Sequence, residues 1–199
     1  MRDRIRQALL GHRPIELPME GYHPSAVMLL LYEERGVEHV LLQVRGARVE
    51  QHAGEISFPG GRHDPGDASL LHTALRETHE EIGVAPHELE IFGQLDDTIV
   101  VTSNHLMRPY VGAFIGSPRE FATAEAEVRA LLRVPLEYLR TPDAHGEFVV
   151  DRRGEPELMP AYRYGEHMIW GATYRVLNQF LALYEAVGDE AIRDGAARA

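Results

Sequence analysis

Glu77 lies three residues before Glu80 and four before Glu81, near the end of a stretch that reads as a helix. Like charges at these spacings meet on a helix surface and destabilise it by roughly 0.2–0.5 kcal/mol per pair. A short helix that accepts such crowding implies a cation that offsets it. Hard carboxylate oxygens suit Mg²⁺ or Mn²⁺, which also take backbone carbonyls, water and phosphate oxygens. A Glu-rich face is ordinarily no more than a solvated helix surface. Here it belongs to a package: Phe-Pro followed by Gly60-Gly61, an acidic residue at Asp67, then R-E-T-H-E-E-I-G from Arg76 to Gly83. The double glycine lets backbone approach closely, so a carbonyl at Gly61 can join the carboxylates.

The elements that must position these groups are legible around them. Asp67 or Ser69 caps the helix, since either side-chain oxygen can accept from the free amides of the first turn. Leu71, Ala74, Leu75, Thr78 and Ile82 fall on one stripe at about 100° per residue. Glu77 and Glu81 lie on its flank with Glu80 just beyond, and Arg76 lies on the far side of Glu80. Gly83 suits a left-handed stop. Upstream, Arg2–Leu10 reads as an amphipathic helix, and Ser25–Tyr32 and His39–Arg45 as a strand hairpin. Glu55–Phe58 is a short strand ended by Pro59-Gly60-Gly61. Downstream, strands are expected over Leu89–Leu95, Asp97–Thr102, His105–Ile115 and Glu127–Val134. A helical turn is expected from Pro135 to Leu139, a hairpin over Phe148–Glu155 and a long helix over Ile169–Val187. Many strands with one helix in the middle and one at the end argue for a single mixed α/β domain.

Composition removes several function classes. The 199 residues contain no cysteine, which excludes thiol catalysis, disulfides and Cys-based metal sites. No run approaches the ~18 apolar residues of a membrane span, and the N-terminus is not a signal peptide. The formal net charge is -11 and every basic residue is Arg. So acidic a chain is a poor nucleic-acid binder. An anionic substrate would need a local Arg pocket, and the guanidinium fork suits phosphate.

The central stretch resembles the Nudix box, in which a Gly, five residues, a Glu and seven residues precede Arg-Glu-U-x-Glu-Glu-x-Gly-U, U being a bulky aliphatic. Here Gly61 is followed by five residues, Asp67, eight residues and Arg76–Val84. Asp67 for Glu, the added residue and Thr78 for the aliphatic are the departures. A second run, Leu41–Gly61, is similar to the extra motif of the coenzyme A pyrophosphatase branch of that family. Leu41, Leu42, Arg45, Gly54, Phe58, Pro59, Gly60 and Gly61 match it in register, while Gln43, Gly46 and Glu50 depart. Ile169–Thr173 also looks like this branch.

The resemblance implies an α+β fold, a single α/β/α sandwich with a mixed β-sheet, spanning residues 25–187. Residues 1–24 are then a lead-in and 188–199 a frayed tail. It implies Mg²⁺- or Mn²⁺-dependent hydrolysis of the pyrophosphate of coenzyme A to 3′,5′-ADP and 4′-phosphopantetheine. Metal ligands would be Glu77, Glu81, Glu80 and the Gly61 carbonyl. Arg76 would orient the glutamates, with Glu80 or Glu125 (Glu127 being a neighbouring candidate) as general base, and Arg45 and Arg48 would contact phosphate. His52, His63, His72 and His79 read as surface or turn residues. The expected partner is a small-molecule nucleotide, with no nucleic acid and no membrane. The expected location is cytoplasmic, and monomer and homodimer are both open. The alternatives are a Nudix enzyme for ADP-ribose or another nucleoside diphosphate derivative and, more distantly, a non-catalytic nucleotide-binding regulator or a scaffold.

Overall fold

The computed structural model describes residues 1–46, 54–117, 119–152 and 154–196. Helix α1 (Arg2–Gly11) leads into the long strand β1 (His23–Glu34), which pairs antiparallel with β2 (Val37–Arg45) and parallel with β7 (His105–Phe114). The short strands β3 (Ile56–Ser57) and β4 (Gly60–Arg62) follow, then helix α2 (Leu70–Ile82), β5 (Leu89–Gln94) and β6 (Thr98–Val100). Strand β8 (Val128–Pro135), helix α3 (Leu136–Leu139), β9 (His145–Arg152), β10 (Glu155–Tyr164), β11 (His167–Trp170) and helix α4 (Gly171–Ala196) complete the chain. The main sheet is mixed, in the order β3-β2-β1-β7-β5, with β4 on β1, β6 on β7 and β8 on β2. A second antiparallel sheet runs β11-β10-β9.

Alternation along β1 and β2 divides the core. Val27, Leu29 and Leu31 of β1 with Val40, Leu42 and Val44 of β2 pack against Ile5 and Leu9 of α1 and Val176, Leu177, Phe180 and Leu181 of α4. Ala26, Met28, Leu30 and Leu41 face the other way, toward Leu70, Ala74 and Ile82 of α2. Successive strand residues point to opposite faces, so β1 and β2, covered on both sides, read as near-continuous apolar runs. The result is the expected α+β sandwich of three layers. Among the described residues, no helix is long and apolar enough to cross a membrane.

Several element boundaries differ from the sequence reading: the hairpin expected over Phe148–Glu155 runs from His145 to Tyr164, the strand expected over Asp97–Thr102 shortens to Thr98–Val100, and three further differences have a clear physical reason. Gly60 and Gly61 do not merely stop a strand; they continue as β4, antiparallel to Ser25–Val27. Ile169 and Trp170 close the second sheet as β11, and the helix starts only at Gly171, whose φ of 63° makes the strand-to-helix corner. Helix α4 also runs past Val187 to Ala196, because one interior glycine at 188 costs only about 1 kcal/mol and does not break a helix.

Candidate active site

Helix α2 carries the glutamates, and its ends are well fixed. The Ser69 hydroxyl oxygen accepts from the His72 amide at 3.1 Å, so Ser69 and not Asp67 is the cap. Gly83 takes φ 67° and its N–H donates to His79 O at 3.0 Å. Thr78, where the resembled box has an aliphatic, is buried and donates its hydroxyl to Ala74 O at 2.6 Å, so its polarity is absorbed by its own helix. The buried arc is Leu70, Thr73, Ala74, Thr78, Glu81 and Ile82, while Leu71 and Leu75 are only half-buried. The helix is therefore turned further than apolarity alone suggests, and Glu81 lies inside the arc rather than on its flank.

Two glycines make room for two glutamates, each for its own reason. Gly60 has φ 150°, and a Cβ there would fall 2.6 Å from Val27 Cα, so only glycine lets this backbone lie on β1. Its N–H donates to Glu81 Oε2 at 2.8 Å. At Gly61 the space a Cβ would fill is taken by the Glu77 carboxylate, 2.5 Å away. Glu81 is 4% exposed, and burial pushes its carboxyl up to about 7. The Gly60 amide, the Gln43 carboxamide and the Arg45 charge oppose that rise, and the Glu77 charge adds to it. Glu77 is raised as well, first by burial, with Arg76 pulling the other way.

Asp67 is the hub of a second cluster. Arg76 grips it with both arms of the fork, Nε to Oδ1 at 2.9 Å and Nη2 to Oδ2 at 3.0 Å. Thr73 Oγ1 donates to it at 2.8 Å, the Asp64 amide at 3.1 Å, and His72 Nδ1 lies 3.0 Å away. His63 reaches Thr73 Oγ1 at 2.9 Å. His63 and His72 are thus parts of this network and not bare turn residues; His52 lies outside the described residues. The Arg76 guanidinium, ahead of the other donors, holds the Asp67 carboxyl far below the usual carboxylate range. The rest of Arg76 reaches Glu80 at 2.8 Å, Glu77 at 2.9 Å and the Arg62 carbonyl at 3.2 Å. Arg76 therefore links the Asp67 cluster to the glutamates, while Glu80 is exposed and turned toward Arg76.

The facing wall is polar. Leu41, Gln43 and Arg45 alternate toward α2, and Ser57 of β3 stands opposite Gln43. Among the described residues, both amide atoms of Gln43, Arg45 Nε and Ser57 Oγ are buried without a hydrogen-bond partner. The Gln43 amide acts on Glu81 from nearby yet completes no hydrogen bond of normal geometry. The turn before β8 closes the site from below: Ala124 N donates to Glu81 O at 2.9 Å and Gly46 N to Glu127 O at 2.7 Å. Glu125 and Glu127 are both exposed there, and it is Glu127 whose charge acts on Glu77. Arg48 and Glu50 lie outside the described residues.

No three Asp, Glu or His side chains among the described residues form a ready-made cation cage. The donor set is nonetheless of the right kind for a divalent ion: hard oxygens from Glu77 and Glu81, a carboxylate seated where Gly61 has no side chain, and unpartnered polar atoms beside it. The sequence reading missed Gln43 and Ser57 as site residues; the signal was a Gln in an otherwise apolar strand. It also missed the clamp on Asp67, whose signal was the nine-residue interval to Arg76.

Comparisons with known proteins bear on this geometry. A model of the NUDIX domain matches residues 21–152. A Photorhabdus laumondii protein named uncharacterized Nudix hydrolase NudL is 34% identical over 173 residues, covering 87% of this chain and 90% of its own. Human mitochondrial coenzyme A diphosphatase NUDT8 is 32% identical over 158 residues, covering 78% of this chain and 66% of its own. Among solved structures, a MutT/nudix family protein from Enterococcus faecalis matches with a TM-score of 0.58 at 16% identity, over 93% of this chain and 70% of its own. The MutT protein of Methanosarcina mazei matches at 0.53 and 20%, over 88% and 99%. At such identities the structural likeness is one of fold.

Proposed function

The chain belongs to the Nudix hydrolase family, and from that premise we propose that it hydrolyses the pyrophosphate of coenzyme A to 3′,5′-ADP and 4′-phosphopantetheine. The observation that carries the hydrolytic reading is the pairing of Glu77 and Glu81 against the Gly60-Gly61 strand, with both carboxyls raised and, among the described residues, no ion pair to Glu81. The choice of coenzyme A is supported by the Leu41–Gly61 run and by the 32% identity to a relative named coenzyme A diphosphatase.

Family members generally use divalent metals such as Mg²⁺ or Mn²⁺. Glu77 and Glu81 are the carboxylates that would hold the ion, with the Gly61 carbonyl and Glu80 at its margin. Bound there, it supplies charge neutralisation of the pyrophosphate and a more acidic water. Arg76, locked on Asp67, keeps Glu77 and Glu80 in place. Arg45 is the guanidinium proposed for a substrate phosphate, and Arg48 shares that assignment. In the reaction the oxygen of water bonds to one phosphorus, the bridging P–O bond breaks, and a carboxylate takes the proton. Glu80 and Glu125 are the bases proposed for it, and Glu127 joins them because its charge acts on Glu77. The same reading has the enzyme act in the cytoplasm on a free small-molecule nucleotide.

A hydrolysis panel tests the substrate. Coenzyme A, acyl-coenzyme A, ADP-ribose and NADH are compared with Mg²⁺ or Mn²⁺. Coenzyme A or its acyl ester is expected to lead. A preference for ADP-ribose of about tenfold in kcat/KM, about 1.4 kcal/mol of transition-state binding, overturns the coenzyme A reading in favour of another nucleoside diphosphate derivative.

A further inference from the structure

Gln43 is wholly buried, yet among the described residues neither atom of its carboxamide has a hydrogen-bond partner. Buried polar groups are nearly always satisfied, and an orphan costs stability, so this one calls for a use. Its place is set by the strand. Leu41 packs in the α2-side core; two residues on, the same face of β2 turns polar at Gln43 and Arg45. Ser57 lies across from Gln43 on β3, its hydroxyl also unpartnered. Glu81 arrives from α2 against this wall with one oxygen already taken by the Gly60 amide at 2.8 Å.

We propose that Gln43 is a positioning residue for Glu81. Its carboxamide nitrogen donates to the carboxylate oxygen that Gly60 leaves free, and its carbonyl oxygen, with the Ser57 hydroxyl, holds water beside it. Gly60 and Gln43 together fix the plane of the carboxylate. The Gly60 amide alone fixes one oxygen and leaves the group free to rotate about that bond. Gln43 is also one of the residues at which the chain departs from the motif it resembles, where threonine stands. The shorter hydroxyl would reach Glu81 only through water. The inference rests on the reading of Glu81 as a cation ligand.

The test uses the full chain and Mn²⁺ alone, by calorimetry and by the electron paramagnetic resonance of the bound ion, on wild type, Glu81→Gln, Gln43→Met and Gln43→Thr. Methionine keeps the volume and removes the hydrogen bonds. Gln43→Met is expected to melt no lower than wild type but to bind Mn²⁺ about 10–100-fold more weakly, the range seen when groups that orient metal ligands are removed. Its resonance should change, and its kcat should fall with KM for coenzyme A held within about twofold. Gln43→Thr should recover part of the Mn²⁺ affinity, and it serves as the test if the methionine variant does not fold. Weak binding in Glu81→Gln with unchanged affinity and spectrum in the Gln43 variants overturns the role of Gln43 alone. Unchanged binding in Glu81→Gln overturns the ligand reading and this proposal with it.

Discussion

Asp67 and Glu81 are both nearly sealed from solvent, one just before helix α2 and the other in its last turn, and the protein treats them in opposite ways. Asp67 receives a bidentate guanidinium, a threonine hydroxyl, a backbone amide and a histidine, and stays ionised. Among the described residues Glu81 receives one backbone amide within hydrogen-bond distance, and burial pushes its carboxyl up to about 7. A saturated buried carboxylate fastens the fold. A starved one favours whatever brings the missing charge, and under the proposed function the contrast separates scaffold from reagent at the two ends of helix α2.

The largest expected effect is on the starved side. Glu81→Gln should lower hydrolysis by about a thousandfold or more, as losses of groups acting on the reacting atoms commonly do. Its melting temperature without added metal should stay level or rise, because a buried carboxylate of raised pKa has been replaced by a neutral amide of the same shape. A variant that kept its activity would dissolve the distinction between the two residues. Asp67→Asn should show the reverse order of symptoms. Breaking a fully buried charge pair from one side costs about 3–5 kcal/mol; the partly exposed Arg76 keeps Glu77 and Glu80, so the loss should fall at or below the lower end of that range. Denaturant unfolding should show that loss directly, and an unchanged midpoint would mean that the clamp is ornamental.

The pH dependence of stability sharpens the same contrast. For Glu81 the folded-state value lies above the ordinary one, so the native chain holds a proton that the unfolded chain has released. Its contribution is fully present below about pH 4.5 and is lost as pH rises through about 7, an effect of up to about 3 kcal/mol. Asp67 runs the other way: its contribution is present above about pH 4 and is lost as pH falls below that. Melts in chelator from pH 4 to 8 should therefore decline toward pH 8 in wild type, and the decline should be shallower in Glu81→Gln. A parallel decline in both would assign the slope to other groups. The smallest effect is expected for Gly61→Ala. The new methyl must displace the Glu77 carboxylate, which can swing aside on its side chain. Activity should fall about tenfold, or about 1.4 kcal/mol, with little change in melting temperature.

The glutamates, their helix, its left-handed stop and the strands around it were legible in the sequence because each has a local signal. Spacing put Glu77 and Glu81 side by side, Gly83 marked the end, and apolar runs marked β1, β2 and β7. What the sequence withheld depends on contacts between distant elements. The carboxylate of Asp67 looked like a cap because the position is right for one, and only folding brings Arg76 back across it. Gln43 looked like a departure from a motif, and its burial against Ser57 depends on strand register. Thr78 departs from the aliphatic of the resembled box, and its hydroxyl is absorbed by its bond to Ala74 O in its own helix.

The Thr173 hydroxyl donates to the carbonyl of Ile56 at 2.9 Å, across 117 positions of sequence. Strand β3 is only two residues long, and it carries Ser57 into the wall that faces Glu81. Its register with β2 spans two residue pairs, and the Thr173 bond adds a fastener from the far end of the chain. On a ribosome, the glutamate helix emerges some ninety residues before that fastener, counted from the positions of Ile82 and Thr173. The wall that faces Glu81 is thus expected to form late in folding, since long-range contacts bear the loop-closure cost before they return any stability. A nascent or C-terminally shortened chain would carry every acidic residue of the site and still lack its shape.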